Sequence, residues 1–170
     1  MAERIYNVLF LCTGNSARSI LAEALMNRWG QGKFQAYSAG SHPTGTVNPF
    51  ALAVLHKVGI ATEHARSKSW DEFAAPSAPQ MDFIFTVCDN AAGEACPYWP
   101  GHPMTAHWGV ADPAAVEGTP MEKERAFWSA FWTLEARIKL FACLPLGKLE
   151  GMTLHKALTE IGKSEAETPG

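Results

Sequence analysis

The feature that most constrains the fold is an apolar run that leads directly into a short polar loop and then into a helical pattern. Residues 5–11 are nearly continuously apolar, which is typical of a central parallel strand covered on both faces. From Ser19 onward, apolar residues recur at helical spacing as far as Trp29. A buried strand that feeds a helix in this way predicts an α/β protein with this strand inside the sheet.

The remaining segments continue the same alternation. Asn48 and Pro49 are the residue types of a helix cap and a first helical position. Apolar residues at steps of three and four between Phe127 and Phe141 indicate a long helix. A helical turn is predicted at 70–73, and further strands at 34–39, 81–87 and 104–108. The predicted fold is an α/β three-layer sandwich in which helices flank a four-stranded parallel sheet.

Length and charge restrict the organisation and the partners. A chain of 170 residues suffices for one core, and we expect one catalytic α/β domain over 1–145 and an extension over 146–170 with a short helix at 153–161. The net charge of −3 gives no global positive field for nucleic acid or an anionic membrane. The apolar start contains Asn7, lacks a cleavage site, and no run reaches a membrane span. A cytoplasmic monomer is therefore expected.

The loop after the first strand has the composition of an oxyanion site. Backbone N–H groups between a strand and a helix can point at a tetrahedral anion, and the helix N-terminus favours negative charge there. Gly14 and Asn15 accept the left-handed backbone that such a loop requires. Arg18 can hold two anion oxygens, and the same donors should lower the pKa of the Cys12 thiol. The predicted anion-binding residues are Thr13, Gly14, Asn15, Ser16, Ala17, Arg18 and Ser19.

Three further cysteines need separate interpretations. Cys88 follows the third predicted strand, and Cys96 lies eight residues later in a loop rich in small residues. Zinc binding by these two with His102 and His107 is an alternative, but structural zinc sites usually have two to four residues between their first cysteines. Cys143 follows the apolar stripe of the long helix and is interpreted as a core residue.

The motif Cys12-Thr13-Gly14-Asn15-Ser16-Ala17-Arg18-Ser19 resembles the active-site loop of the low-molecular-weight tyrosine phosphatase superfamily, which has a flavodoxin-like fold. The whole chain looks like the arsenate reductases within that superfamily. The resemblance extends over most of residues 4–143, and its further motifs are Ser38-Ala39-Gly40, the stretch 85–97 and residues 107–113.

The resemblance implies a reaction as well as a fold. Cys12 would attack arsenate, Asp112 of the Asp112-Pro113 pair would help to expel water, and Cys88 would attack Cys12 to release arsenite. Cys96 would then attack Cys88 and leave a Cys88–Cys96 disulfide for an external reductant. No tightly bound cofactor is implied. Thioredoxin is the expected donor, a glutaredoxin or low-molecular-weight thiol system is the alternative, and phosphate and sulfate are expected to compete with arsenate.

Other functions remain open at this point. A phosphatase acting on phosphotyrosine or small phosphoesters would use the loop and Asp112 but would not need Cys88 or Cys96. Ala114-Ala115 stand where such phosphatases tend to carry aromatic residues, which weakens the phosphotyrosine interpretation. A thiol-based oxyanion or redox sensor is the alternative without catalysis.

Three peripheral features are also considered. Ala17 stands where some of these reductases carry an extra cysteine, and activity is expected without it. Trp99 and Trp108 could line the entrance to the site, although packing is the commoner role of such aromatic residues. Some members of the family hold a potassium ion beside the loop, and the matching oxygen donors are Asn15, Glu23, Ser38 and Asp71.

Overall fold

A four-stranded parallel sheet forms the centre of the computed structural model, which describes residues 5–63, 65–75, 77–87, 103–146 and 151–163. The strands stand in the order β2-β1-β3-β4, so that the first strand is internal as predicted. All three strand pairs are parallel. Their bounds are β1 (Tyr6–Cys12), β2 (Phe34–Gly40), β3 (Phe83–Thr86) and β4 (Met104–His107). The predicted fold class is confirmed.

Five α-helices accompany the sheet in the described ranges. The Asn48 side chain caps one of them by accepting a hydrogen bond from the Phe50 N–H at 2.8 Å, as the sequence predicts. Thr119 caps the longest helix through the Glu122 N–H, so this helix begins before its apolar stripe does. The helices are α1 (Arg18–Trp29), α2 (Pro49–Lys57), α3 (Asp71–Ala74), α4 (Pro120–Ala142) and α5 (Gly151–Ile161).

The larger core lies between one face of the sheet and the helices α1, α2, α4 and α5. Aromatic rings fill its middle: the Phe85 and Trp108 ring centroids are 3.8 Å apart, and Phe141 of α4 meets both rings edge-on. A smaller cluster on the opposite face joins Leu9 and Ile84 to Phe73 of α3. Burial on both faces explains why the strand sequences are nearly continuous apolar runs.

Trp108 is a core residue, so the suggestion that it lines the entrance is wrong. Its side chain is 0% exposed, and its indole N–H donates to the Leu158 carbonyl of α5 at 2.9 Å. Leu154, Leu158 and Ile161 of α5 are buried in the same core. The C-terminal helix therefore completes the packing around the segment that follows β4.

Cys143 is exposed, which corrects its interpretation as a core residue. It is the C-terminal cap residue of α4 rather than part of the buried stripe. The stripe reaches Phe141, and two residues further on an α-helix has turned by about 200°, which carries the side chain to the opposite side.

Candidate active site

The predicted nucleophile lies where three strands end. Cys12 is the last residue of β1 and pairs with Gly40 at the end of β2, while Leu11 pairs with Thr86 at the end of β3. The Cys12 side chain is only 4% exposed. The carboxyl ends of parallel strands are where ligands bind in open α/β sheets, so the sheet places the thiol at the expected edge.

Neighbouring segments hold the loop after Cys12 by its carbonyl groups. The Thr13 carbonyl accepts from the His42 N–H at 2.9 Å, and the Gly14 carbonyl accepts from the Thr44 N–H at 3.0 Å. The Ser16 carbonyl accepts from the Asn48 N–H at 2.8 Å. In a trans peptide unit the C=O and N–H groups point in opposite directions. The N–H groups of these three peptide units therefore point away from the segments that bond their carbonyls. An anion-binding loop needs N–H groups in this orientation.

Asn15 has the left-handed conformation that the sequence predicts at this turn, with φ of 46°. Its fully buried side chain fixes the loop from within: the amide donates to the Ser19 hydroxyl at 2.7 Å, and its oxygen accepts from the Lys68 N–H at 2.8 Å. Gly14 is not left-handed, so the turn uses this conformation at one position rather than two. Gly14 instead lies close to Thr44.

Arg18 and Asp112 lie close together. Arg18 is the first residue of α1, and its guanidinium donates to the Val110 carbonyl at 2.9 Å and lies 3.6 Å from the Asp112 carboxylate. The Asp112 side chain is 41% exposed and accepts from the Ala114 N–H at 2.9 Å, which caps the 3-10 turn at Pro113–Ala115. The structure thus brings the arginine predicted to bind the anion and the acid expected from the resemblance to the same edge.

The start of α1 is suited to an anion. Its cap residue, Ala17, is buried and makes no side-chain hydrogen bond to the first turn, and that turn contains no acidic residue. The first N–H groups of a helix have no intrahelical partners, and they carry the positive end of the helix dipole. The positive end of this helix therefore points toward the loop.

Arg137 is a site residue that sequence reasoning missed. It lies on the buried side of α4, 5% exposed, and its guanidinium donates to the Trp108 and Gly109 carbonyls at 3.0 Å each. It thereby holds the segment that leads to Asp112. The available signal was a charged residue next to Ile138 in an otherwise apolar stripe, because such residues are buried only when their hydrogen bonds are satisfied.

Lys68 is the second residue that was missed. Its ammonium group lies 3.4 Å from the Ser38 hydroxyl, 3.2 Å from the Arg66 carbonyl and 3.8 Å from the Glu23 carboxylate. Burial raises the pKa of the Glu23 carboxyl above its ordinary value and lowers that of the Lys68 ammonium, and each group's charge opposes the shift of the other.

Three of the four oxygen donors expected around potassium are therefore in contact with Lys68. Glu23 and Ser38 contact the Lys68 ammonium, and Asn15 bonds the Lys68 backbone. Asp71, at the start of α3, is exposed. With a positive group already among them, these residues do not fit a second cation.

Other predicted features lie partly or wholly outside the described residues. Cys88 and Cys96 belong to that part of the chain, as do Trp99 and His102. Among the residues that the structure does describe, no three His, Cys, Asp or Glu side chains form a group that could hold a metal ion. Within the same ranges no helix has the length and hydropathy needed to cross a membrane.

Comparison with known proteins gives consistent matches. Residues 7–148 match the family model of the low molecular weight phosphotyrosine protein phosphatases. The chain is 38% identical over 135 residues to an arsenate reductase of Shouchella clausii, covering 79% of this chain and 94% of that protein.

Solved structures show the same fold. An arsenate reductase from Archaeoglobus fulgidus is 27% identical with a TM-score of 0.60, covering 79% of this chain and 98% of that one. A thioredoxin-dependent arsenate reductase from Corynebacterium glutamicum is 24% identical with a TM-score of 0.54, covering 83% of this chain and 65% of that one.

Proposed function

Because the chain belongs to the arsenate reductases of the low molecular weight phosphotyrosine protein phosphatase family, we propose that it reduces arsenate to arsenite through Cys12 and a relay of Cys88 and Cys96. The observation that carries the proposal is the arrangement at one sheet edge. Cys12 is the last residue of β1, and the carbonyl groups of the loop that follows it are hydrogen-bonded to neighbouring segments. Arg18, at the start of α1, lies 3.6 Å from the Asp112 carboxylate.

Arsenate would bind in the loop as a tetrahedral oxyanion. The inward N–H groups and the positive end of α1 favour its charge, and Arg18 supplies a planar pair of donors. The same groups stabilise a Cys12 thiolate, which is the reactive form of the nucleophile. Phosphate and sulfate have the same shape and charge type, so we propose that they compete with arsenate for this position.

The first chemical step forms a sulfur–arsenic bond. The Cys12 thiolate attacks arsenic, and an arsenate oxygen leaves as water after receiving protons, one of which Asp112 donates. The location of Asp112 fits this role, because its carboxyl lies beside Arg18, which would hold the anion, and is partly exposed to solvent. Arsenic remains in its pentavalent state in this step, so no electrons have yet been transferred.

The second and third steps transfer the electrons. A Cys88 thiolate attacks the Cys12 sulfur, the sulfur–arsenic bond breaks, and its electron pair stays on arsenic, which leaves as trivalent arsenite. The product is a Cys12–Cys88 disulfide. Attack by Cys96 on Cys88 then frees Cys12 and leaves a Cys88–Cys96 disulfide. A dithiol donor reduces this disulfide, and the C. glutamicum protein with the same fold, which is thioredoxin-dependent, makes thioredoxin the first donor to test.

Arsenate-dependent NADPH oxidation in the presence of thioredoxin and thioredoxin reductase tests the proposed function. We expect consumption that requires arsenate and stops when Cys12, Cys88 or Cys96 is changed to serine. Rapid hydrolysis of an aryl phosphate by the Cys88→Ser and Cys96→Ser variants, without NADPH consumption by the unmodified protein, would instead identify a phosphatase. Slow exchange of thiols without turnover of either substrate would identify a sensor.

A further inference from the structure

The backbone of Lys68 connects the nucleophile loop with the sheet. Its carbonyl accepts from the Gly40 N–H at 2.9 Å, at the end of β2, and its N–H donates to the Asn15 side chain at 2.8 Å. Gly40 also pairs with the next residue, Ser69, in an isolated parallel bridge. Lys68 is therefore fixed against both the end of β2 and the left-handed residue of the loop.

The side chain of Lys68 is surrounded by polar groups. It is 7% exposed, and its ammonium has oxygen neighbours from a hydroxyl, a carbonyl and a carboxylate: Ser38, Arg66 and Glu23. The other charges that act on it are the Arg66 guanidinium and Glu72, which form an ion pair with each other at 2.8 Å. Glu23 is thus the one carboxylate within 4 Å of this ammonium among the described residues.

We propose that the Lys68 ammonium is a built-in monovalent cation, which takes the place of a potassium ion beside the nucleophile loop. The donors Glu23 and Ser38 that the resemblance assigned to potassium face this ammonium instead. A second cation among them would be repelled by the ammonium and would compete with it for the same oxygens. Lys68 is a positioning residue, because it acts on the anion through Asn15 and the loop.

A covalently attached ammonium and a bound potassium ion should differ in how the protein responds to the salt in solution. Its occupancy does not depend on the potassium concentration, so loop order and anion affinity should not respond to the choice of monovalent salt. Loss of the ammonium should leave the half-buried Glu23 carboxylate without its one cationic partner within 4 Å among the described residues, and a small cation should then bind in its place. This inference rests on the loop being the oxyanion site of the proposed function, but it does not depend on the electron relay.

The experiment compares the unmodified protein with Lys68→Ala and with the control Lys139→Ala. Lys139 is exposed and pairs with Glu135 on the surface of α4, away from the loop. Protection of Cys12 from alkylation by inorganic phosphate gives the apparent phosphate affinity, and thermal unfolding gives the melting temperature. Both are measured in potassium chloride and in choline chloride at equal ionic strength, without arsenate or thioredoxin.

We expect the unmodified protein and Lys139→Ala to give the same values in both salts. Lys68→Ala should lose phosphate affinity by roughly tenfold in choline, a typical coupling between adjoining sites, and should regain much of it in potassium. A Lys68→Met variant keeps the stem and removes only the charge, so it should show the loss without the potassium response.

Three results would overturn the proposal. The first is a potassium-selective response of the unmodified protein, which would show that an ion binds beside Lys68. The second is a phosphate affinity in both Lys68 variants equal to that of Lys139→Ala. The third is a Lys68→Ala variant whose phosphate affinity and melting temperature are the same in potassium and choline. Failure of the reductase function would appear in the separate NADPH assay as absent turnover, with the phosphate and salt responses measured here intact.

Discussion

Changing Gly40 to alanine would place a methyl group against the nucleophile loop. Gly40 pairs with Cys12 across the sheet, and a Cβ atom at this position would lie 2.5 Å from the Thr13 carbonyl oxygen and 3.0 Å from the Asn15 backbone nitrogen. The Thr13 oxygen also accepts a hydrogen bond from the His42 N–H, so it cannot move away from the new methyl group without disturbing that bond. The loop or the end of β2 must therefore move.

The displacement can be worked out from these distances. Ordinary van der Waals contact begins at 3.4 Å, so the oxygen and the new methyl group must separate by 3.4 − 2.5 = 0.9 Å. Overpacking of this kind costs about 1–3 kcal/mol of folding free energy. In a protein of this size that corresponds to a melting temperature lower by about 2–12 °C. A misplacement of about 1 Å at reacting groups can reduce the rate by roughly 100-fold.

The assay for Gly40→Ala measures three quantities: the melting temperature, the phosphate protection of Cys12 from alkylation, and kcat/KM for arsenate with thioredoxin. Gly151→Ala is the matched control, because a Cβ atom there meets nothing within 4 Å. We expect Gly40→Ala to lose phosphate protection and at least tenfold in kcat/KM by the same geometric argument. A variant with the melting temperature and kcat/KM of Gly151→Ala would refute the close contact between β2 and the loop.

Two further changes test the acid and the C-terminal helix. Asp112→Asn keeps an oxygen that can accept from the Ala114 N–H, so phosphate should still protect Cys12 from alkylation. Single-turnover arsenite formation should slow by about 100- to 10,000-fold, because the proton donor is lost. An unchanged rate would remove Asp112 from the mechanism. Leu158→Ala removes a side chain that is 0% exposed and should lower the free energy of unfolding in urea by about 2–5 kcal/mol. Met152→Ala, on the same helix but 91% exposed, should change it by less than about 0.5 kcal/mol, and equal effects would contradict the packing of α5.

The main elements of the fold are readable from the sequence because local patterns determine them. The apolar run at 5–11 and the Asn48-Pro49 helix start each correspond to an observed element within one or two residues, and the stripe from Phe127 to Phe141 lies inside the longer helix α4. Parallel pairing follows from strands that alternate with helices. These predictions need only the periodicity and the capping chemistry of each segment.

The candidate loop can be predicted from the sequence for a similar reason. The residues that hold the loop and the segment before Asp112 in place cannot. Cys12, Asn15 and Arg18 lie in one short segment of the sequence, and their types predict a turn and an anion site. Lys68 and Arg137 act from segments more than fifty residues away, through carbonyl and side-chain oxygens that no local pattern identifies. The sequence shows them only as single charged residues, which are usually solvated.

Two errors also have physical causes. Trp108 was a candidate entrance residue at the end of the predicted strand 104–108, but packing between Phe85 and α5 buries it. Cys143 looked like a core residue because it follows a buried stripe, but the helix ends there and the stripe has turned away. The end of a helix is among the least certain properties of a sequence pattern. The packing of a side chain against a distant helix is not visible in a local pattern at all.

A single turnover of the Cys96→Ser variant shows whether electrons reach arsenic through Cys12 and Cys88. The reduced variant is mixed with arsenate in the absence of thioredoxin, and the products are identified by peptide mass spectrometry and arsenite analysis. We expect one arsenite per protein molecule and a Cys12–Cys88 disulfide that persists, because the thiol that would resolve it is missing. Arsenite formation without this disulfide, or a variant that forms neither product while its Cys12 remains protected by phosphate, would contradict the relay.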